Sequence, residues 1–139
     1  MEKLIVLIDD DKLPMKYYII ALKQKDFKVI QFLEPDSAFE FIQNEKVKIF
    51  TIILDIMISP GEKYKHVNTR EGLDTGLFLF EDIRKICPNT PIFVLTNVNH
   101  EKTINKLRNL PLVTIIQKTK CPPSDFANLI ETCFANSKE

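Results

Sequence analysis

Five short apolar runs recur along the chain, and four of them end at a polar residue of chemical interest. Leu4-Ile5-Val6-Leu7-Ile8 runs into Asp9-Asp10-Asp11, and Ile49-Phe50-Thr51-Ile52-Ile53-Leu54 stops at Asp55. Pro91-Ile92-Phe93-Val94-Leu95 ends at Thr96-Asn97, and Leu112-Val113-Thr114-Ile115-Ile116 ends at Gln117-Lys118. Unbroken apolar runs of this length fit strands covered on both faces. Phe27-Lys28-Val29-Ile30-Gln31-Phe32 alternates more, which predicts a strand nearer an edge.

Helical spacing fills the intervals. In 12–25, Leu13, Tyr17, Ile20 and Ala21 share a face, and Pro14 suits a first turn. Pro35 and Asp36 open a helix whose inner face carries Ala38, Phe41 and Ile42. A third begins near Thr75, with Leu77, Phe80 and Ile83 at helical spacing, and stops before Pro88. A short fourth helix to about Leu110 carries Ile104 and Leu107. The last follows Pro122-Pro123, with Ser124 as its cap and Phe126, Leu129, Ile130, Cys133 and Phe134 on one face. Strands alternating with helices predict an α/β, doubly wound, five-stranded parallel sheet with helices on both faces. The pattern lapses from 56 to 74, a long connection marked by Pro60-Gly61.

Composition narrows the options. The chain has 139 residues, a length for one domain, 1–139, with no linker to a second. Nineteen basic residues balance nineteen acidic ones, which gives no footprint for nucleic acid or an anionic membrane. No apolar run is long enough for membrane insertion, and the N-terminus does not read as a signal peptide. Cys87, Cys121 and Cys133 lack the spacing of a zinc site or disulfide framework and are expected as thiols in a reducing cytosol, so the expected location is cytoplasmic. His66 and His100 are expected in solvent; Phe39, Phe41, Phe78 and Phe80 are expected in the core and on helix surfaces.

In a parallel sheet all strand C-termini open on one side, where ligands bind. Asp9, Asp10, Asp11, Asp55, Thr96 and Lys118 would share that crevice. Clustered carboxylates suit Mg2+, while a hydroxyl and an ammonium suit the oxygens of a transferring phosphoryl group. Asp11 also suits a helix cap.

This order of strand-end residues resembles the receiver domain of two-component response regulators, over all 139 residues. The resemblance implies the flavodoxin-like strand order 2-1-3-4-5. It implies that Asp55 accepts a phosphoryl group from a sensor histidine kinase or histidine phosphotransfer protein, with Thr96 and Lys118 contacting that group. It implies Mg2+ bound by Asp9, Asp10, Asp55 and the backbone carbonyl of Met57, with Asp11 left as the cap. The expectation is a stand-alone receiver that signals to a downstream protein effector without binding DNA itself. It would catalyse its own phosphorylation and dephosphorylation without being an enzyme in the usual sense. Two alternatives stand beside it: a receiver-like interaction module that is not phosphorylated, and a Mg2+-dependent phosphatase with an Asp nucleophile, for which Asp9 and Asp11 have the spacing.

Four departures from the family pattern bear on function. The helix-opening Gly corresponds to Gly76, which makes 61–74 an insertion, either a tolerated surface loop or a lid or recognition element. Thr119 replaces the family's Pro after the Lys, where a non-proline cis bond would be costly, so Lys118 could be displaced. Ile115 replaces the switch aromatic. Met57 and Val98 occupy the positions that modulate phosphoryl loss and cannot orient a water, which predicts slow self-dephosphorylation.

Overall fold

A computed structural model describes residues 3–97 and 101–137. Five parallel strands, β1 (Leu4–Ile8), β2 (Lys28–Phe32), β3 (Ile49–Leu54), β4 (Ile92–Thr96) and β5 (Val113–Gln117), form one sheet in the order β2-β1-β3-β4-β5. The crossovers are α1 (Lys12–Lys23), α2 (Pro35–Glu45), α3 (Thr75–Ile86) and α4 (Glu101–Leu107), and α5 (Pro123–Ser137) follows β5. This is the predicted doubly wound sheet, with the strand order that the resemblance implied.

Every residue of β1, β3 and β4 is buried, as their unbroken apolar runs require. Alternate side chains enter two cores. Leu4, Val6, Ile8, Ile52, Leu54, Ile92 and Val94 pack with α2, α3 and Leu107 of α4. Ile5, Leu7, Ile53, Phe93 and Leu95 pack with α1 and α5. A register shift lets Leu4 pair with Ile49 and Ile5 with Thr51, so Phe50 stands out of step and joins the α1–α5 core. There Phe50 meets Phe134 edge-on at 4.9 Å. Each fully buried side chain of this size contributes about 2 kcal/mol. β2 and β5 are the edges and are only partly covered.

Three sequence expectations need correction. The buried face of α1 is Met15, Tyr18 and Leu22, whereas Leu13, Tyr17 and Ile20 are 78%, 64% and 43% exposed. Two apolar stripes compete on this helix. The Tyr18 hydroxyl decides between them by donating to the carbonyls of Lys118 (3.2 Å) and Cys121 (2.9 Å), which fixes the rotation of the helix. On α5, Leu129 is exposed, and Ser124 lies inside a first turn that begins at Pro123. Leu112 is not a strand residue. It adopts a left-handed φ of 60°, and its carbonyl accepts from Ile92 N–H (2.9 Å) and Arg84 Nη2 (3.3 Å).

The connection after β3 is packed down. Ile56, Ile58 and Tyr64 are buried in the α2–α3 core. The Tyr64 hydroxyl donates to Asp82 Oδ2 at 2.6 Å, and the Lys63 ammonium sits 4.0 Å over the Phe39 ring. Among the described residues no helix is long and apolar enough to cross a membrane.

Candidate active site

The strand ladders bring the acids together. The Asp55 amide donates to the Ile8 carbonyl (3.0 Å), which extends the β1–β3 pairing by one residue and sets Asp55 beside Asp9. Asp9 is held on its other side by its own amide on the Phe32 carbonyl (3.1 Å) and by Gln31 Nε2 donating to its carbonyl (2.9 Å). Its carboxylate is 1% exposed and accepts the Asp11 amide at 2.9 Å. The Asp55 carboxylate accepts the Met57 amide at 3.3 Å.

Lys118 joins them. Its ammonium lies 2.8 Å from Asp9 Oδ2 and 3.1 Å from Asp55 Oδ2. Every peptide bond among the described residues is trans. After β5 the chain turns through a 3-10 segment, Lys118–Lys120, that is pinned to α1 by Tyr18. With Thr119 after it the Lys118 bond is trans, and the ammonium still lies within bonding distance of both carboxylates.

Burial dominates the electrostatics. It pushes the Asp9 carboxyl up to about 6; the Lys118 hydrogen bond opposes this, and the Asp55 charge adds to it. Burial also works against the Lys118 ammonium, but its bonds to Asp9 and Asp55 outweigh it and hold the group above the ordinary lysine value.

The other expected site residues divide. Thr96 ends β4, fully buried and in register with Gln117, the residue before Lys118. Asp10 is exposed at the rim, and Asp11 takes the N-cap position of α1 without a side-chain cap bond. The Met57 side chain is 46% exposed. Ile115 is half-buried against the core that carries α4, and His66 is exposed. Val98 and His100 lie outside the described residues.

Among the described residues no three acidic, histidine or cysteine side chains gather as a metal-binding group. The donor chemistry nevertheless fits a hard cation: two buried carboxylates share a single ammonium, so one cationic partner serves two acids.

Sequence reasoning missed two supports. Tyr18 positions the Lys118 turn, and its signal was a polar tip within an apolar helical stripe. Gln31 holds the Asp9 backbone, and no local pattern marks it. Gly76 was expected only as the residue that opens the third helix. A Cβ there would lie 2.5 Å from both the Asp55 carbonyl oxygen and Ile56 Cα, so α3 can seat against the Asp55 loop only through a glycine.

No protein-family model matches the sequence, and no curated protein does. Solved structures match the fold. A response regulator receiver domain protein (CheY-like) from Methanospirillum hungatei JF-1 aligns with a TM-score of 0.78 at 17% identity, over 99% of this chain and 98% of that one. The BeF3-activated N-terminal receiver domain of Klebsiella pneumoniae RstA gives 0.68 at 27% identity, over 91% and 95%. A Burkholderia pseudomallei response regulator with a phosphorylated aspartic acid and a calcium ion gives 0.69 at 19% identity, over 99% and 76%. The chain has the fold of response regulator receiver domains.

Proposed function

We propose that this chain is a single receiver domain that accepts a phosphoryl group on Asp55. The observation that carries the reading is the Lys118 ammonium shared between buried Asp9 and Asp55 at the C-terminal mouth of the sheet. A lone pair of the Asp55 carboxylate attacks phosphorus, and the P–N bond of a phosphohistidine donor breaks with its electron pair staying on the imidazole. An acyl-phosphate P–O bond forms. Lys118 neutralises a phosphoryl oxygen and Thr96 donates a hydrogen bond to another. Asp9, Asp10, Asp55 and the Met57 carbonyl would hold Mg2+, which when bound supplies charge neutralisation to the phosphoryl oxygens.

A protein donor, a sensor histidine kinase or histidine phosphotransfer protein, fits the surface beside the mouth. Leu13, Tyr17 and Ile20 form an exposed apolar stripe on α1, next to Lys12, Lys16 and Lys23. The added charge then biases a surface that a protein effector reads. The Lys118 ammonium within 3.1 Å of Asp55 despite Thr119 favours this reading over an unphosphorylated interaction module, and a phosphatase with an Asp9 nucleophile would instead turn over phosphate esters.

The test is incubation with acetyl phosphate and Mg2+, followed by intact-mass measurement. One added phosphoryl group is expected, and none in Asp55→Asn. An unlabelled wild type, or an equally labelled variant, overturns the reading.

A further inference from the structure

The inserted segment ends in a bonded cluster that reaches α4. Arg70 Nε and Nη2 donate to the two carboxylate oxygens of Asp74 at 2.5 and 2.7 Å. The Thr103 hydroxyl of α4 donates to Asp74 Oδ1 at 3.3 Å and accepts from Arg70 Nη2 at 3.4 Å. Thr103 is buried. Arg70, Glu71 and Gly72 have successive left-handed φ values of 53°, 59° and 93°. Two non-glycine residues in that region are unfavourable unless the surroundings impose them. Here Asn68 Oδ1 accepts the Arg70 amide, and Thr69 accepts the Gly72 amide on its hydroxyl and the Asp74 amide on its carbonyl. The turn is built to present Arg70 to Asp74.

Asp74 is also tied to the reacting residue. It immediately precedes α3, whose Gly76 amide donates to the Ile56 carbonyl at 2.8 Å. The closeness of Gly76 to Asp55 and Ile56 leaves no slack, so a shift of the Asp55 loop carries the first turn of α3 with it. At the other end, the described residues of α4 dock through three buried side chains, Thr103, Ile104 and Leu107. An element held by so few buried contacts opens readily.

We propose that Asp74 is a positioning residue that couples Asp55 to α4: the inserted segment clasps α4 in the unmodified protein and releases it when Asp55 is phosphorylated. The clasp supplies a route for the signal in a chain whose fifth strand has Ile115 in place of an aromatic. This rests on the receiver reading above.

Hydrogen exchange of the α4 amides in the full chain tests it, before and after acetyl phosphate with Mg2+, with intact mass recording the phosphoryl group. Phosphorylation should speed α4 exchange in wild type by about five- to tenfold, the loss of roughly one hydrogen bond. Thr103→Val should exchange fast before phosphorylation and gain little after it, Thr103→Ser should behave as wild type, and Arg70→Ala should reproduce Thr103→Val from outside the core. The coupling is overturned if α4 in Thr103→Val and Arg70→Ala exchanges and responds as in wild type. Absence of the phosphoryl group in the mass spectrum overturns the receiver reading, and the release step with it. Fast α4 exchange in the unmodified variants would still establish the clasp.

Discussion

The Lys118 ammonium stands closer to Asp9 than to Asp55, at 2.8 against 3.1 Å, and Asp9 is the more deeply buried acid. That asymmetry gives a pH signature. The Asp9 carboxyl titrates at about 6 in the folded protein and near 3.8 when unfolded. Between those values the folded state binds more protons, so this site loses stability as pH rises from about 4 through 6. At about 1.4 kcal/mol per pKa unit, the loss is on the order of 3 kcal/mol. In buffer free of divalent cations, urea midpoints should rise between pH 7 and pH 5. Asp9→Asn should remove that rise, and an unchanged slope in the variant would refute the assignment.

Removing the shared cation should hurt most where both acids are ionised. Lys118→Met leaves two buried carboxylates facing each other, and breaking a buried pair costs about 3 kcal/mol or more. Asp9 can relieve that strain by taking a proton, which caps the cost. The variant should therefore be less stable than wild type by about 2–3 kcal/mol at pH 7 and by a smaller margin at pH 5, where the bond to Asp55 is still lost. A deficit that stays constant across this range would show that Lys118 is not coupled to the ionisation of Asp9.

Most of the sheet could be read from the chain because its central strands are continuous apolar runs that stop at the mouth. Asp9 and Asp55 were legible for the same reason: a strand buried on both faces exposes polar chemistry only at its ends, whereas Lys118 follows the partly covered edge strand β5 and was picked out by the order of strand-end residues. The phase of α1 was not legible, since Met15-Tyr18-Leu22 and Leu13-Tyr17-Ile20 fit a helical stripe equally well. The partner that chose between them, the turn at Lys118, lies a hundred residues away. The insertion was opaque for another reason. Its anchors, Tyr64 on Asp82 and Asp74 on Thr103, are single contacts without a period.

Gly76 offers a sign test. Alanine normally stabilises a helix relative to glycine by about 1 kcal/mol. Here its methyl would meet backbone atoms of Asp55 and Ile56 that no side-chain rotation can move aside. Gly76→Ala should destabilise by about 2 kcal/mol or more and slow phosphoryl transfer from acetyl phosphate. A more stable variant would mean that the α3–Asp55 contact is loose.

On the receiver reading, Met57 would bear on how long a phosphoryl group on Asp55 lasts. Its side chain is 46% exposed, and its amide already bonds Asp55. A thioether cannot donate a hydrogen bond and accepts only weakly, so it gives an attacking water no orientation. Phospho-Asp55 should decay at least about tenfold more slowly in wild type than in Met57→Asn, as one oriented hydrogen bond is worth about that factor. Equal decay by intact mass in Mg2+ would remove Met57 from the account.

Tyr64 decides whether the insertion is a passive surface loop. Its ring is 5% exposed and lies 6.1 Å from that of Phe78, with its hydroxyl on Asp82. Tyr64→Phe removes one hydrogen bond, and Lys63 and Lys85 still neutralise Asp82, so the cost should be about 1 kcal/mol or less. Tyr64→Ala empties the space under the loop and should cost about 3 kcal/mol. The loop carries exposed Lys65 and Arg70 as trypsin sites. Because cleavage follows local opening, trypsin should cut Tyr64→Phe within about fivefold of the wild-type rate and Tyr64→Ala on the order of a hundredfold faster. Equal rates in all three proteins would mean that the loop is held by its backbone turns and not by this ring.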